Sequence, residues 1–131
     1  MNLKDCPFCD LKISDPGRIV SESEFSFVIR DAFPVTAGHS LVIPKRHISD
    51  YFMLTQSEID STQLHIKEQK KFLEINDPSI SGFNIGINIG EAAGQTIFHC
   101  HIHIIPRRKG DTSDPSGGVR HVIPEKGKYI E

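Results

Sequence analysis

His99-Cys100-His101-Ile102-His103-Ile104-Ile105 sets three histidines at alternate positions in a run that is otherwise apolar or small. Side chains of an extended strand alternate between faces, so this spacing puts all three imidazoles on one side, successive ones about 6.6–6.8 Å apart along the strand. Cys100, Ile102 and Ile104 then point the other way, into a core. The pattern predicts a half-buried strand carrying a histidine-lined wall. Such a wall suits metal ligation, or attack by a neutral imidazole with its supporting groups.

Working outward, the preceding segment has the same period. From Gly82, the residues Phe83, Ile85, Ile87 and Ile89 alternate with Asn84, Gly86, Asn88 and Gly90, which predicts a strand with one small, polar face. Glu91-Ala92-Ala93-Gly94-Gln95 makes the return loop, and Pro106 is expected to end the histidine strand. Further upstream, Thr55-Gln56-Ser57-Glu58 has the form of a capping box and predicts a helix running to about Ile75. Ile59, Thr62, Ile66, Gln69 and Leu73 form its core-facing stripe, with Lys67, Lys70 and Lys71 toward solvent.

Segments 18–21 and 24–30 read as a hairpin, broken by Asp31-Ala32-Phe33-Pro34, and 39–43 as another strand closed by Pro44. Residues 1–17 read as a compact knuckle around Cys6-Pro7-Phe8-Cys9, followed by the turn Asp15-Pro16-Gly17. Residues 107–131 form a tail rich in glycine, proline and charge, with one strand-like run at 119–123. The expected architecture is a single α+β domain over residues 1–131. It is an antiparallel β-sheet meander with one long helix and a short helix.

A chain of 131 residues buries enough surface to fold without staples. Its net charge of −2 gives no general attraction to nucleic acid, so no nucleic-acid partner is expected. No segment has signal-peptide character or bilayer length, which makes the cytoplasm the expected location and excludes a membrane partner. Three cysteines argue against a disulfide scaffold and leave metal binding or free thiols.

An unprotonated imidazole is a good nucleophile toward phosphorus, provided its other nitrogen keeps a proton on an acceptor such as a backbone carbonyl. His101, flanked on both sides, is the best-placed nucleophile, and His103 would then donate to the phosphoryl oxygens or leaving group. Gly94, Gln95, Thr96 and Asn88 supply an uncharged phosphate cradle. The alternative for the triplet is a metal wall without catalysis. Cys6 and Cys9 have the spacing of two tetrahedral zinc ligands, with His47 and His99 as candidates for the other two. Reduced thiols in an unmetallated turn are the equal alternative. His65 and His121 are expected to be ordinary exposed residues, and Cys100 a buried small hydrophobe.

The run Gly94-Gln95-Thr96-Ile97-Phe98-His99-Cys100-His101-Ile102-His103-Ile104-Ile105-Pro106-Arg107-Arg108-Lys109-Gly110-Asp111 closely resembles the signature of the histidine triad family. Asp31, the run His39-Ser40-Leu41-Val42-Ile43-Pro44-Lys45-Arg46-His47, and Asn88 follow in the family's order, so the resemblance covers nearly the whole chain. It implies a homodimeric nucleotide hydrolase or transferase in which His101 attacks the α-phosphorus and forms a nucleotidyl-imidazole. His103 matches a phosphate ligand, His39 a supporting histidine, and Asp31 the holder of the ribose hydroxyls. Asn88, Gly94, Gln95 and Thr96 match the phosphate side, and the implied dimer pairs the central helices and one strand of each subunit.

Gly94-Gln95-Thr96 and Pro106-Arg107 look like the fragile-histidine-triad branch, which splits dinucleoside polyphosphates. Asn88 looks more like the purine phosphoramidase branch, and the tail at 117–124 resembles bacterial members. The resemblance therefore implies a hydrolase of diadenosine-type polyphosphates that releases a nucleoside monophosphate. The alternatives are a purine nucleoside phosphoramidase, or a nucleotide-binding regulatory protein with incidental hydrolysis. The expected ligand is an adenine or other purine nucleotide, with no organic cofactor. The resemblance also implies structural zinc on Cys6, Cys9, His47 and His99, as in some family members.

Overall fold

The structure, a computed structural model, describes residues 5–129; the parts of the expected knuckle at 1–4 and of the tail at 130–131 lie outside the described residues. A short helix, α1 (Pro7–Ser14), precedes three strands, β1 (Ile19–Glu22), β2 (Ser26–Arg30) and β3 (Ser40–Pro44). A long helix, α2 (Gln56–Asn76), then leads to β4 (Ile80–Gly86) and β5 (Ile102–Arg108). The strands form one antiparallel sheet in the order β1-β2-β3-β5-β4, which is the expected α+β class. Only the first three strands follow each other as a meander. After them α2 carries the chain to the far edge, and β5 returns between β3 and β4, bonded to a neighbour on either side.

Period-two alternation divides the core between two faces. Phe27 and Ile29 of β2, with Leu41 and Ile43 of β3, pack against Cys6, Phe8 and Leu11 of the α1 segment. Val28, Val42, Ile102 and Ile104 pack on the other face, against Ile66 of α2 and Phe83. Because both faces are covered, β2 and β3 are buried almost throughout rather than at every second residue.

Helix α2 starts at the expected capping box. Thr55 Oγ1 accepts from the Glu58 backbone N–H at 3.2 Å, and Glu58 Oε1 accepts from the Thr55 N–H at 2.8 Å. Its buried stripe is Glu58, Thr62, His65, Gln69 and Leu73, more polar than the expected one. His65 is buried, not exposed as expected, because the sheet meets it with hydroxyls. Its Nε2 lies 2.9 Å from Ser23 Oγ, and Ser26 pairs with Ser61 beside it. Arg30 completes this polar seam by donating to Gln69 Oε1 and Ser40 Oγ, each at 2.7 Å. Buried polar groups are tolerated when bonded in this way.

Three local expectations are corrected. Strand β5 begins only at Ile102 and runs through Pro106 to Arg108. Pairing with β3 stops at Ser40 opposite Ile104, so the missing proline N–H falls beyond the end of β3, where a ladder partner is no longer required. The run 119–123 is not a strand: residues 119–122 lie in a 3-10 turn, Gly118–Val122, capped by Ile123, because Gly117 and Gly118 adopt φ of 91° and 49° and turn the chain. The knuckle is helical, and Cys6 is the N-cap of α1. Among the described residues no helix is long and apolar enough to cross a membrane.

Glu58 joins the helix cap to the strand end. Its carboxylate takes Arg46 Nε at 3.0 Å and Nη2 at 2.8 Å while remaining 4% exposed. These guanidinium bonds, with the Thr55 N–H, hold its pKa down at about 2 against an ordinary 4.5. A depressed carboxylate pKa stabilises the fold above about pH 4.5, and that contribution is lost as the pH falls toward 2. Glu58→Gln is expected to cost about 2 kcal/mol at pH 7 from the weakened cap and charge-assisted bonds. Urea denaturation of both proteins checks this: the gap between them should shrink as the pH is lowered from 4.5 toward 2. A gap independent of pH would contradict the assignment.

Candidate active site

Strand register assembles the site from distant segments. Leu41 lies opposite both Ile29 and His103, so these side chains share the sheet face away from α2. His39 precedes Leu41 by two residues and Asp31 follows Ile29 by two, which brings both to that face. One ligand atom from each of Asp31, His39 and His103 lies within 4.8 Å of the others. His99 and His101 precede the strand proper, in a segment pinned by the Cys100 N–H on the Ile48 carbonyl at 2.6 Å. Cys100 points into the core as expected, and burial pushes its thiol up to about 11.

The hydrogen bonds assign the protons. His101 Nδ1 is 2.8 Å from the His99 carbonyl, an acceptor only, so Nδ1 donates there and the lone pair of the neutral tautomer is on Nε2. The Val35 backbone N–H donates to His39 Nδ1 at 3.0 Å, so the proton of neutral His39 is on Nε2. That nitrogen meets His103 Nδ1 at 2.9 Å, which leaves the His103 proton on Nε2. Burial, aided by the neighbouring His101 and His39, lowers His103 to about 4. Burial likewise lowers His39, opposed by Asp31 at 3.5 Å. Both rings are neutral at physiological pH, the state this chain of bonds requires.

A cavity of about 460 Å³ opens in front of these rings. Asp31, His39, Asn88, Gly94, Thr96, His101 and His103 line it, which gathers seven of the eight residues expected for catalysis and nucleotide binding. Gln95 is the exception. It is buried beneath the loop, where its carbonyl accepts from the Gly90 N–H and its amide donates to the Ser49 and Ile97 carbonyls. In this structure both ends of the amide brace the loop. Gly94, at φ 92°, turns the chain into the cavity wall. Sequence reasoning missed Phe8, which sets its ring edge against His101 at 5.1 Å, and Arg18, which also lines the cavity. It also missed the Val35 N–H, a backbone donor with no side-chain signal.

The second cluster lies behind His101. Cys6, Cys9, His47 and His99 bring four ligand atoms within 4.8 Å of one another. Cys9 Sγ and His99 Nδ1 both lie 3.2 Å from His47 Nδ1, and His99 Nδ1 is 3.5 Å from each sulfur. Zinc bonds of about 2.0–2.3 Å imply tetrahedral edges of roughly 3.3–3.8 Å, which these separations approach. His99 Nε2 donates to the Pro44 carbonyl at 2.6 Å, so its Nδ1 lone pair faces the cluster. Two thiols and two imidazoles fit structural zinc, with no position left for substrate.

Comparison with known proteins agrees with this geometry. The family model described as HIT domain matches residues 13–110. An uncharacterized HIT-like protein of Mycoplasma genitalium is 39% identical over 103 residues, covering 78% of this chain and 72% of that protein. The AP-4-A phosphorylase of Mycobacterium tuberculosis is 33% identical over 125 residues, covering 91% of this chain but only 63% of that enzyme. Among solved structures, a Zn-bound histidine triad family protein from Mycobacterium smegmatis superimposes with a TM-score of 0.76 at 34% identity, covering 86% of this chain and 82% of that one. The family match over residues 13–110 and the similarity to the HIT-like relative mean that this chain belongs to the histidine triad (HIT) family, whose members are nucleotide hydrolases and transferases.

Proposed function

We propose that this chain hydrolyses nucleotides at the α-phosphorus through a nucleotidyl intermediate on His101 and releases a nucleoside monophosphate. The carrying observation is the His101 ring, oriented by the His99 carbonyl so that Nε2 shares a cavity with Asp31 and His103. Asp31 accepts the ribose hydroxyls, and the His103 Nε2–H donates to a phosphoryl oxygen. His101 Nε2 forms a bond to phosphorus as the bond to the leaving group breaks. Water then cleaves the phosphorus–nitrogen bond and restores the free imidazole.

The leaving group separates two readings. Dinucleoside polyphosphates are supported by the phosphorylase relative and by the Gly94-Gln95-Thr96 segment. Phosphoramidates are favoured by a second cavity of about 360 Å³, which shares Val35, His39, Asn88 and His103 with the first and is walled by Ile105, Val119 and Val122. No lysine or arginine lines it, so a polyphosphate would leave through it uncompensated, whereas a neutral amine would not. That cavity supports the phosphoramidate reading. A kinetic panel of a nucleoside phosphoramidate and diadenosine tetraphosphate tests this, with higher kcat/KM expected for the phosphoramidate. His101→Ala should lower turnover of either by at least about a thousandfold. Intact mass should detect a nucleotidyl adduct on the wild type, and activity retained by the variant would remove His101 as nucleophile.

Zinc on Cys6, Cys9, His47 and His99 is part of the same proposal, in a structural role. Reduced, closely spaced thiols fit the proposed cytoplasmic setting. Metal analysis should find one zinc per chain, lost in Cys9→Ser, and chelation should lower the melting temperature. A full complement of metal in Cys9→Ser would rule out the four-ligand site.

A homodimer completes the reading. β4 is an unpaired sheet edge, and Ile85 on it is 44% exposed. Leu64, Phe72 and Ile75 form an exposed apolar stripe on α2, at positions separated by eight and three residues. Sedimentation should give a dimer for the wild type and a monomer for Phe72→Glu; a wild-type monomer would refute the pairing.

A further inference from the structure

The cavity wall changes character with distance from the histidines. Across the sheet, His103 on β5 lies opposite Leu41 on β3, which lies opposite Ile29 on β2. Two strand spacings make this row about 9.6 Å wide, the scale of a nucleotide between its phosphate and its base. Phe8 and Ile97 border the row, so the far part is an apolar slot in which any base could stack. Arg18 stands at its end, one residue before β1. Its Nη2 donates to the Arg30 carbonyl at 3.1 Å, which fixes the guanidinium beside Asp31, the ribose position. That is its one side-chain hydrogen bond among the described residues.

We propose that Arg18 reads the base edge and selects a 6-oxopurine nucleotide, guanine or hypoxanthine, over adenine. This rests on the nucleotide reading above and names the base it takes. A guanidinium offers donors only. The 6-oxopurine edge presents two acceptors, O6 and N7, which match the guanidinium fork. Adenine sets an amino donor beside N7 and opposes the fork. The other polar side chains lining the cavity are Asp31, His39, Asn88, Thr96, His101 and His103, which the nucleotide reading above uses for the ribose and phosphate. Base choice therefore falls to Arg18.

Calorimetric titration of the full chain with GMP and with AMP tests this. The wild type should bind GMP about tenfold more tightly than AMP, the scale of one bidentate contact. Arg18→Ala should bring that ratio close to one. Arg18→Lys keeps the charge without the fork and should do the same, which also guards against a misfolded alanine variant. Equal binding of the two nucleotides by the wild type would overturn the proposal alone. So would variants that weaken both nucleotides alike, because that marks a ribose or phosphate contact. Failure of the wild type to bind either nucleotide would overturn the nucleotide reading itself, and this proposal with it.

Discussion

The cysteine–histidine cluster and the His101 ring both depend on one buried residue, His99. Its Nε2 is held by the Pro44 carbonyl, its Nδ1 faces two sulfurs and His47, and its backbone carbonyl holds Nδ1 of His101. One residue thus joins the end of β3, the α1 segment and the reactive histidine. Fully buried, and lowered to about 4 mainly by burial, it is a neutral ring that can only be accommodated with both nitrogens directed. The three histidines are accordingly unlike. His99 is structural, His101 presents a lone pair, and His103 presents a proton.

The second organising constraint is proton bookkeeping along the bonds from Val35 to His39 to His103. A backbone N–H has a single polarity, so it determines the tautomer of each ring after it. Low local polarity keeps the rings uncharged, and on the proposed reading a bound phosphate would meet fixed N–H dipoles in place of a mobile counter-ion. Such donors favour charge that develops on phosphoryl oxygens without holding the product as an ion pair.

Much of this was legible in the sequence because it depends on periodicity. Two-residue spacing placed His101 and His103 together, and Thr55 with Glu58 marked the start of α2 to the residue. Pairing between strands was not legible, since no local pattern says that β5 inserts between β3 and β4. Side chains whose partners come from elsewhere were misread for the same reason. His65 read as exposed because the hydroxyls that receive it lie 42 and 44 residues away. Pro106 read as a terminator because β3 had no visible end.

The α1 segment has two roles that share one scaffold. Cys6 and Cys9 bracket Phe8, whose ring edge meets both His99 and His101, and the chain then turns through Pro16–Arg18 to bring Arg18 to the cavity. With only eight residues, α1 is too short to be stable alone, so its position is set by Phe8 and Leu11 in the core and by the cysteine cluster. Whatever holds the two thiols against His47 and His99 therefore also holds the wall against which a base would stack. Metal retention and nucleotide affinity should consequently be coupled through packing, although no metal ligand needs to touch the nucleotide.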